Sequence, residues 1–154
     1  MDDDADRTLA EAGRLLAEAV ERALPVWVER EVERLLVAFH GEASDEAMAD
    51  AADAARAAAA EVVPRVRALV EADVDDQDGN PLAVLRHAVT FPGEVLRRHG
   101  VPPVVRDEFD EAHFPDDDYG LTPMTFADVD ESLHEPGLLW GAAKARAHMR
   151  RHTA

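Results

Sequence analysis

The chain contains no cysteine, which removes disulfide frameworks, thiolate zinc sites, iron–sulfur clusters and cysteine nucleophiles together. Any metal must therefore sit on His, Asp or Glu. Serine occurs only at Ser44 and Ser132, and neither lies in a Gly-x-Ser-x-Gly turn, so the supply of hydroxyl nucleophiles is thin. Ser44 reads as a helix cap and Ser132, within "DESLHEP", as a turn or cap residue. The glycines are scattered and none forms a phosphate-cradling loop. Isoleucine is absent, and asparagine and lysine occur once each (Asn80, Lys144), the codon bias of a GC-rich genome.

Long apolar runs are missing too. The longest stretch without Asp, Glu, Lys or Arg runs from Tyr119 to Ala127, far below the roughly 20 residues of a membrane span. The opening "MDDDADRT" is acidic where a secretory signal would be basic. These features set the expectation of a cytoplasmic protein with no membrane contact.

What is present is a chain of 154 residues, 47% hydrophobic and 32% charged, enough for one domain with a core. Over residues 7 to 40, Leu9, Leu16, Val20, Leu24, Trp27, Val28, Leu35, Leu36 and Phe39 recur at helical steps across Pro25. This predicts a kinked helix or two helices in line. Residues 45 to 73 carry a heptad stripe of Met48, Ala52, Ala55, Ala59, Val62, Val66 and Leu69 behind the Ser44 cap, with Pro64 bending the helix. The alanine half admits a close neighbour and the valine half holds it off, so the helix pair should splay. A third helix, kinked at Pro92, closes at Gly100.

"DVDDQDGNP" (residues 73 to 81) is an interhelical turn. As a calcium loop with Gly79 at position 6 it would place Val74 and Leu85 at two essential ligand positions. From Val101 the texture changes to a short helix near Val104 to Ala112, an irregular aromatic-rich stretch, and a last helix from Pro136 to His152. No sustained period-two pattern suggests a sheet. The expected fold is all-α: a single helical domain over 1–154, with kinked antiparallel helices in 1–100, an irregular wrap in 101–135 and a short C-terminal helix in 136–152. Phe114, Tyr119 and Phe126 should pack down while the aspartates of the wrap stay wet. Trp140 reads as a core anchor.

The net charge of −17 disfavours direct nucleic-acid binding. An acidic mimic of nucleic acid would need its acids along one face, whereas arginines are threaded through both long helices. Between Val101 and Glu135 eleven acids stand against one arginine, while the tail after Pro136 has Lys144, Arg146, Arg150 and Arg151 and no acid. Wrap and tail could meet. Solvated acids, with cations favoured at a helix C-terminus, are the plainer reading.

Metal chemistry has one candidate. Asp110-x-x-His113 and Glu131-x-x-His134 match the spacing that puts a carboxylate and an imidazole on one helix face, but Phe114-Pro115 and Glu135-Pro136 cut both helices short. A loop-borne site from His113, His134, Asp116, Asp117, Asp118 and Glu135 is the alternative, taking Mn, Fe or Zn as its cofactor, with Arg106 or Lys144 to hold an anion. His148 and His152, spaced i, i+4, read as exposed tail residues.

"PPVVRDEF" and "SLHEPGLLWGAAKA" resemble segments of a family of small conserved actinobacterial proteins of unknown function, over roughly Asn80 to Ala147. The resemblance implies no activity, cofactor or site residue. The leading expectation is a non-enzymatic, acidic interaction protein with a basic protein partner and no cofactor. The alanine face could equally seat a homodimer. The second expectation is a metal-dependent hydrolase or oxidase with its His/Asp site in 106–135.

Overall fold

The computed structural model describes residues 2–72 and 80–152, and the turn at residues 73–79, including the calcium-loop comparison, lies outside the described residues. The described residues are all-α, without a strand. The first helix, α1, spans Asp2–His40. Asp4 and Asp6 near its start suit the positive end of a helix dipole. Pro25 interrupts one backbone hydrogen bond, yet Leu24, Trp27 and Val28 on either side are buried, and that packing carries one continuous helix through it. Gly41, at φ 83, ends it by donating its N–H to Val37 O (2.9 Å).

Helix α2 spans Asp45–Val70, and the Ser44 side chain accepts from the Ala47 N–H (3.1 Å). Its buried face is Ala47, Ala51, Ala55, Ala58, Val62, Val63, Val66 and Val70, which keeps Ala55, Val62 and Val66 of the expected stripe and shifts the rest by one residue. Met48, Ala52, Ala59 and Leu69 are half-buried edges. The reason is that α2 packs on α1 and also on the helices that follow, which widens its buried arc. Splaying at the valine end is offset by Gly13 of α1: a Cβ added there would stand 3.1 Å from Val70 Cβ. Arg67 of α2 also pairs with Glu21 of α1 (2.5 Å).

The expected third helix is two. Asn80 caps α3 (Pro81–Arg86), a 3₁₀ turn follows at His87–Val89, and α4 runs Thr90–Arg98. The break falls before Pro92, which sits buried in the first turn of α4, where a missing N–H is harmless. Gly100 (φ 78) and the Val101 N–H donated to Leu96 O (3.0 Å) close α4. Three further helices follow: α5 (Glu108–His113) capped by Asp107, α6 (Phe126–Val129) with a Thr125/Asp128 capping box, and, after a 3₁₀ turn at Glu131–Leu133, α7 (His134–His152). One hydrophobic cluster reaches from Ala12 on α1 to Ala143 on α7. Its fully buried leucines, Leu16, Leu24, Leu36, Leu85, Leu96 and Leu133, each contribute about 1.5–3 kcal/mol by burial.

Candidate functional site

The wrap is organised by a residue expected to be wet. Asp117 is 5% exposed. Its carboxylate accepts from the N–H groups of Leu121 (2.8 Å) and Thr122 (2.8 Å) and from the Thr122 hydroxyl (2.6 Å), with a longer bond from Tyr119 N–H (3.4 Å). A tight loop leaves its amides without helical or sheet partners, and a short carboxylate collects them from inside. Tyr119 is buried and donates its hydroxyl to Val101 O (2.7 Å), and burial pushes its phenol above the ordinary value of 10.0. The segment is thereby fixed against the end of α4.

Asp118 faces outward into cations, with Arg97 at 2.7 Å and Arg106 at 3.9 Å. Arg106 also donates to Phe114 O (2.6 Å), so it ties the loop together and is not held out for an anion. Lys144 lies over the Trp140 ring at 5.1 Å. Arg151 reaches Asp6 on α1 (3.6 Å), while Arg30 of α1 serves the wrap through Asp130 (3.6 Å) and Val129 O (2.5 Å).

The aromatic residues separate. Tyr119 enters the core, Phe126 packs at its edge over Gly137, and Phe114 is half-buried beside Phe109. Trp140 is buried, as an anchor should be, and its indole N–H finds no acceptor among the described residues.

The six metal candidates have different tasks. His113 is exposed at the end of α5, stacked on Phe109 with ring centroids 4.0 Å apart, and its Nδ1 donates to Phe109 O (2.9 Å). Asp116 is exposed, Asp117 is consumed by the loop, and Asp118 by arginines. His134 and Glu135 are exposed in the first turn of α7. Among the described residues no group of three or more His, Asp or Glu side chains is placed to hold a metal ion. The i, i+4 pair His148 and His152 is exposed, as expected, on the last turns of α7, with rings 4.5 Å apart.

A cleft of about 380 Å³ does bring His113 and Asp116 together with His87 and Thr90. The histidine from the 3₁₀ turn was not singled out by spacing, because only the fold carries it to the wrap. Thr90 donates its hydroxyl to His87 O (3.3 Å) and Arg86 donates to Pro123 O (2.9 Å), so the polar groups here mostly bind the protein to itself. A second polar cluster was also invisible in the sequence. His99 at the end of α4 meets Asp50 of α2 (Nε2 to Oδ2, 2.6 Å), and His40 at the end of α1 lies 2.8 Å from His99 O. It latches three helix ends.

The exposed edge of the wrap is different in kind. Val105 is 101% exposed and Phe109 58% exposed, and Glu108 and Glu111 beside them form no ion pair among the described residues. No family model, curated protein or solved structure matches the chain, so its residues alone carry the functional argument. No described helix is long and apolar enough to cross a membrane.

Proposed function

We propose that this protein acts in the cytoplasm without catalysing a reaction, by binding a basic segment of another protein on the edge formed by residues 104–111. The observation that carries this is that Val105 and Phe109 are both exposed within one short segment, together with Glu108 and Glu111, which make no ion pair among the described residues. Exposed apolar side chains rimmed by one sign of charge suit a partner of the opposite sign with its own apolar anchors. The net charge of −17 would draw such a partner in over a distance. We read the helices as a kinked antiparallel bundle, with the wrap holding this edge in place. The Asp117 and Tyr119 anchors support that reading, because a docking edge must be rigid.

Crosslinked pull-down from native extract at low salt tests the proposal. Wild type should enrich a basic protein, and Glu108→Lys/Glu111→Lys should release it. Absence of any enriched protein at low salt, where long-range attraction is strongest, would sink it. Stoichiometric Mn, Fe or Zn in protein purified without chelator, lost in both His113→Ala and His134→Ala, would replace it with a metalloenzyme.

A further inference from the structure

In a chain this acidic, three arginines make no ion pair with any described residue and stand around one groove: Arg7 and Arg22 of α1 and Arg146 of α7. Several arginines of α1, α2 and α4 are engaged elsewhere, Arg14 by Glu18 (2.8 Å), Arg67 by Glu21 (2.5 Å) and Arg97 by Asp118 (2.7 Å). Glu11 also borders the groove, but Arg14 holds it at 2.5 Å, so it does not offset the three cations.

The groove has a volume of about 560 Å³ and lies between the outward faces of α1 and α7. Its floor is small, with Ala12 and Ala19 on one side and Ala142 and Ala143 on the other. Leu15, 40% exposed, and Leu139, 52% exposed, rise from its walls. Two helices with alanine between their ridges leave a furrow into which a third helix can settle closely. From Arg7 to Arg22 the furrow runs about 22 Å at 1.5 Å per residue, the length of roughly four helical turns.

We propose that this groove docks an amphipathic helix of a partner protein whose apolar face enters between Leu15 and Leu139 and whose Asp or Glu residues pair with Arg7, Arg22 and Arg146. The surface and the charge preference are both distinct from those of the wrap edge, so the inference goes beyond the function proposed above. A helix in a groove is a recurring way of burying such a face. A second copy of this chain fits less well. Its own exposed acidic helix, α5, has six residues, about 9 Å at 1.5 Å each, and each copy brings a charge of −17.

The test uses the full chain and a labelled synthetic helix of about 18 residues, close to 27 Å long, with Leu at three- and four-residue steps and Glu on both flanks. A twin carries Lys for Glu. Fluorescence anisotropy should show saturable binding of the Glu peptide, weakened about tenfold or more in Arg7→Glu/Arg22→Glu/Arg146→Glu. The same loss is expected in Leu15→Asp/Leu139→Asp, with circular dichroism unchanged in both variants. The overall field repels the Glu peptide, so its retention can come only from a local basic site. Absence of saturable binding, or equal binding by the arginine variant, would overturn the proposal. So would a sedimenting dimer that dissociates in Leu15→Asp/Leu139→Asp, which would give the groove to a second copy.

Discussion

Asp117 takes two hydrogen bonds from Thr122, one from its amide and one from its hydroxyl, at 2.8 and 2.6 Å. Both lie on one carboxylate oxygen while the other receives the Leu121 amide at 2.8 Å. Replacing Asp117 by Ala would strand these buried donors, and we expect a loss of about 2 to 3 kcal/mol. Thr122→Val, which removes one donor, should cost about 1 kcal/mol. Urea denaturation measures both. Equal stability of Asp117→Ala and wild type would show that the loop contributes nothing to the folded state.

Tyr119 is the only tyrosine, so ultraviolet titration of tyrosinate reports it without interference. Burial raises its pKa in the folded state above 10.0. The stability it confers is fully present below the unfolded value and lost as pH rises through the folded one. A midpoint above 10.0 is expected, together with alkaline unfolding that is milder in Tyr119→Phe. A midpoint at or below the free value would contradict the buried bond to Val101.

Asp130 behaves in the opposite sense. Hydrogen bonds from Ser132 hold its carboxyl below the ordinary value of 3.8, with Arg30 adding to the effect. Its contribution is present above the unfolded pKa and lost as pH falls through the folded one. Wild type should therefore lose more stability than Asp130→Asn as the pH is lowered below about 5. Parallel acid profiles for the two proteins would refute this.

Gly137 sits under the ring of Phe126, where an added Cβ would meet Cδ2 at 2.5 Å and Cγ and Cε2 at 2.9 Å. Gly137→Ala should cost about 1 to 3 kcal/mol by overpacking, despite the better helix propensity of alanine. Combined with Phe126→Leu, the two losses should be less than additive, a coupling that a double-mutant cycle measures. Strict additivity would mean that the ring and the glycine are independent.

Much of the long-helix architecture was legible because periodicity and caps are local. The Ser44 cap and the buried Val62 and Val66 of α2 follow from neighbours three or four residues away. The break at His87–Val89 was not, since nothing in "RHAVT" forbids a helix and Pro92 is the more obvious breaker. Neither was the burial of Asp117, flanked by two more aspartates of which one is exposed and one faces arginines. Three adjacent identical residues differ only in where the loop turns them. Spacing along a chain brings side chains together only within one helix, and the candidate metal residues are spread over the end of α5, the loop after it and the first turn of α7, which Pro136 does not end. The basic groove was hidden because its walls come from distant segments, and because total charge conceals a local excess of the opposite sign.

That separation has a consequence for the groove itself. Its walls come from residues 7–22 of α1 and from residues 132–146, and only the shared core from Ala12 to Ala143 holds them in register. Any loosening of α7 from α1 would part Leu15 from Leu139 and draw Arg146 away from Arg7 and Arg22. A helix seated there would thus act as a clasp across the two, and its grip would report how firmly α7 is docked.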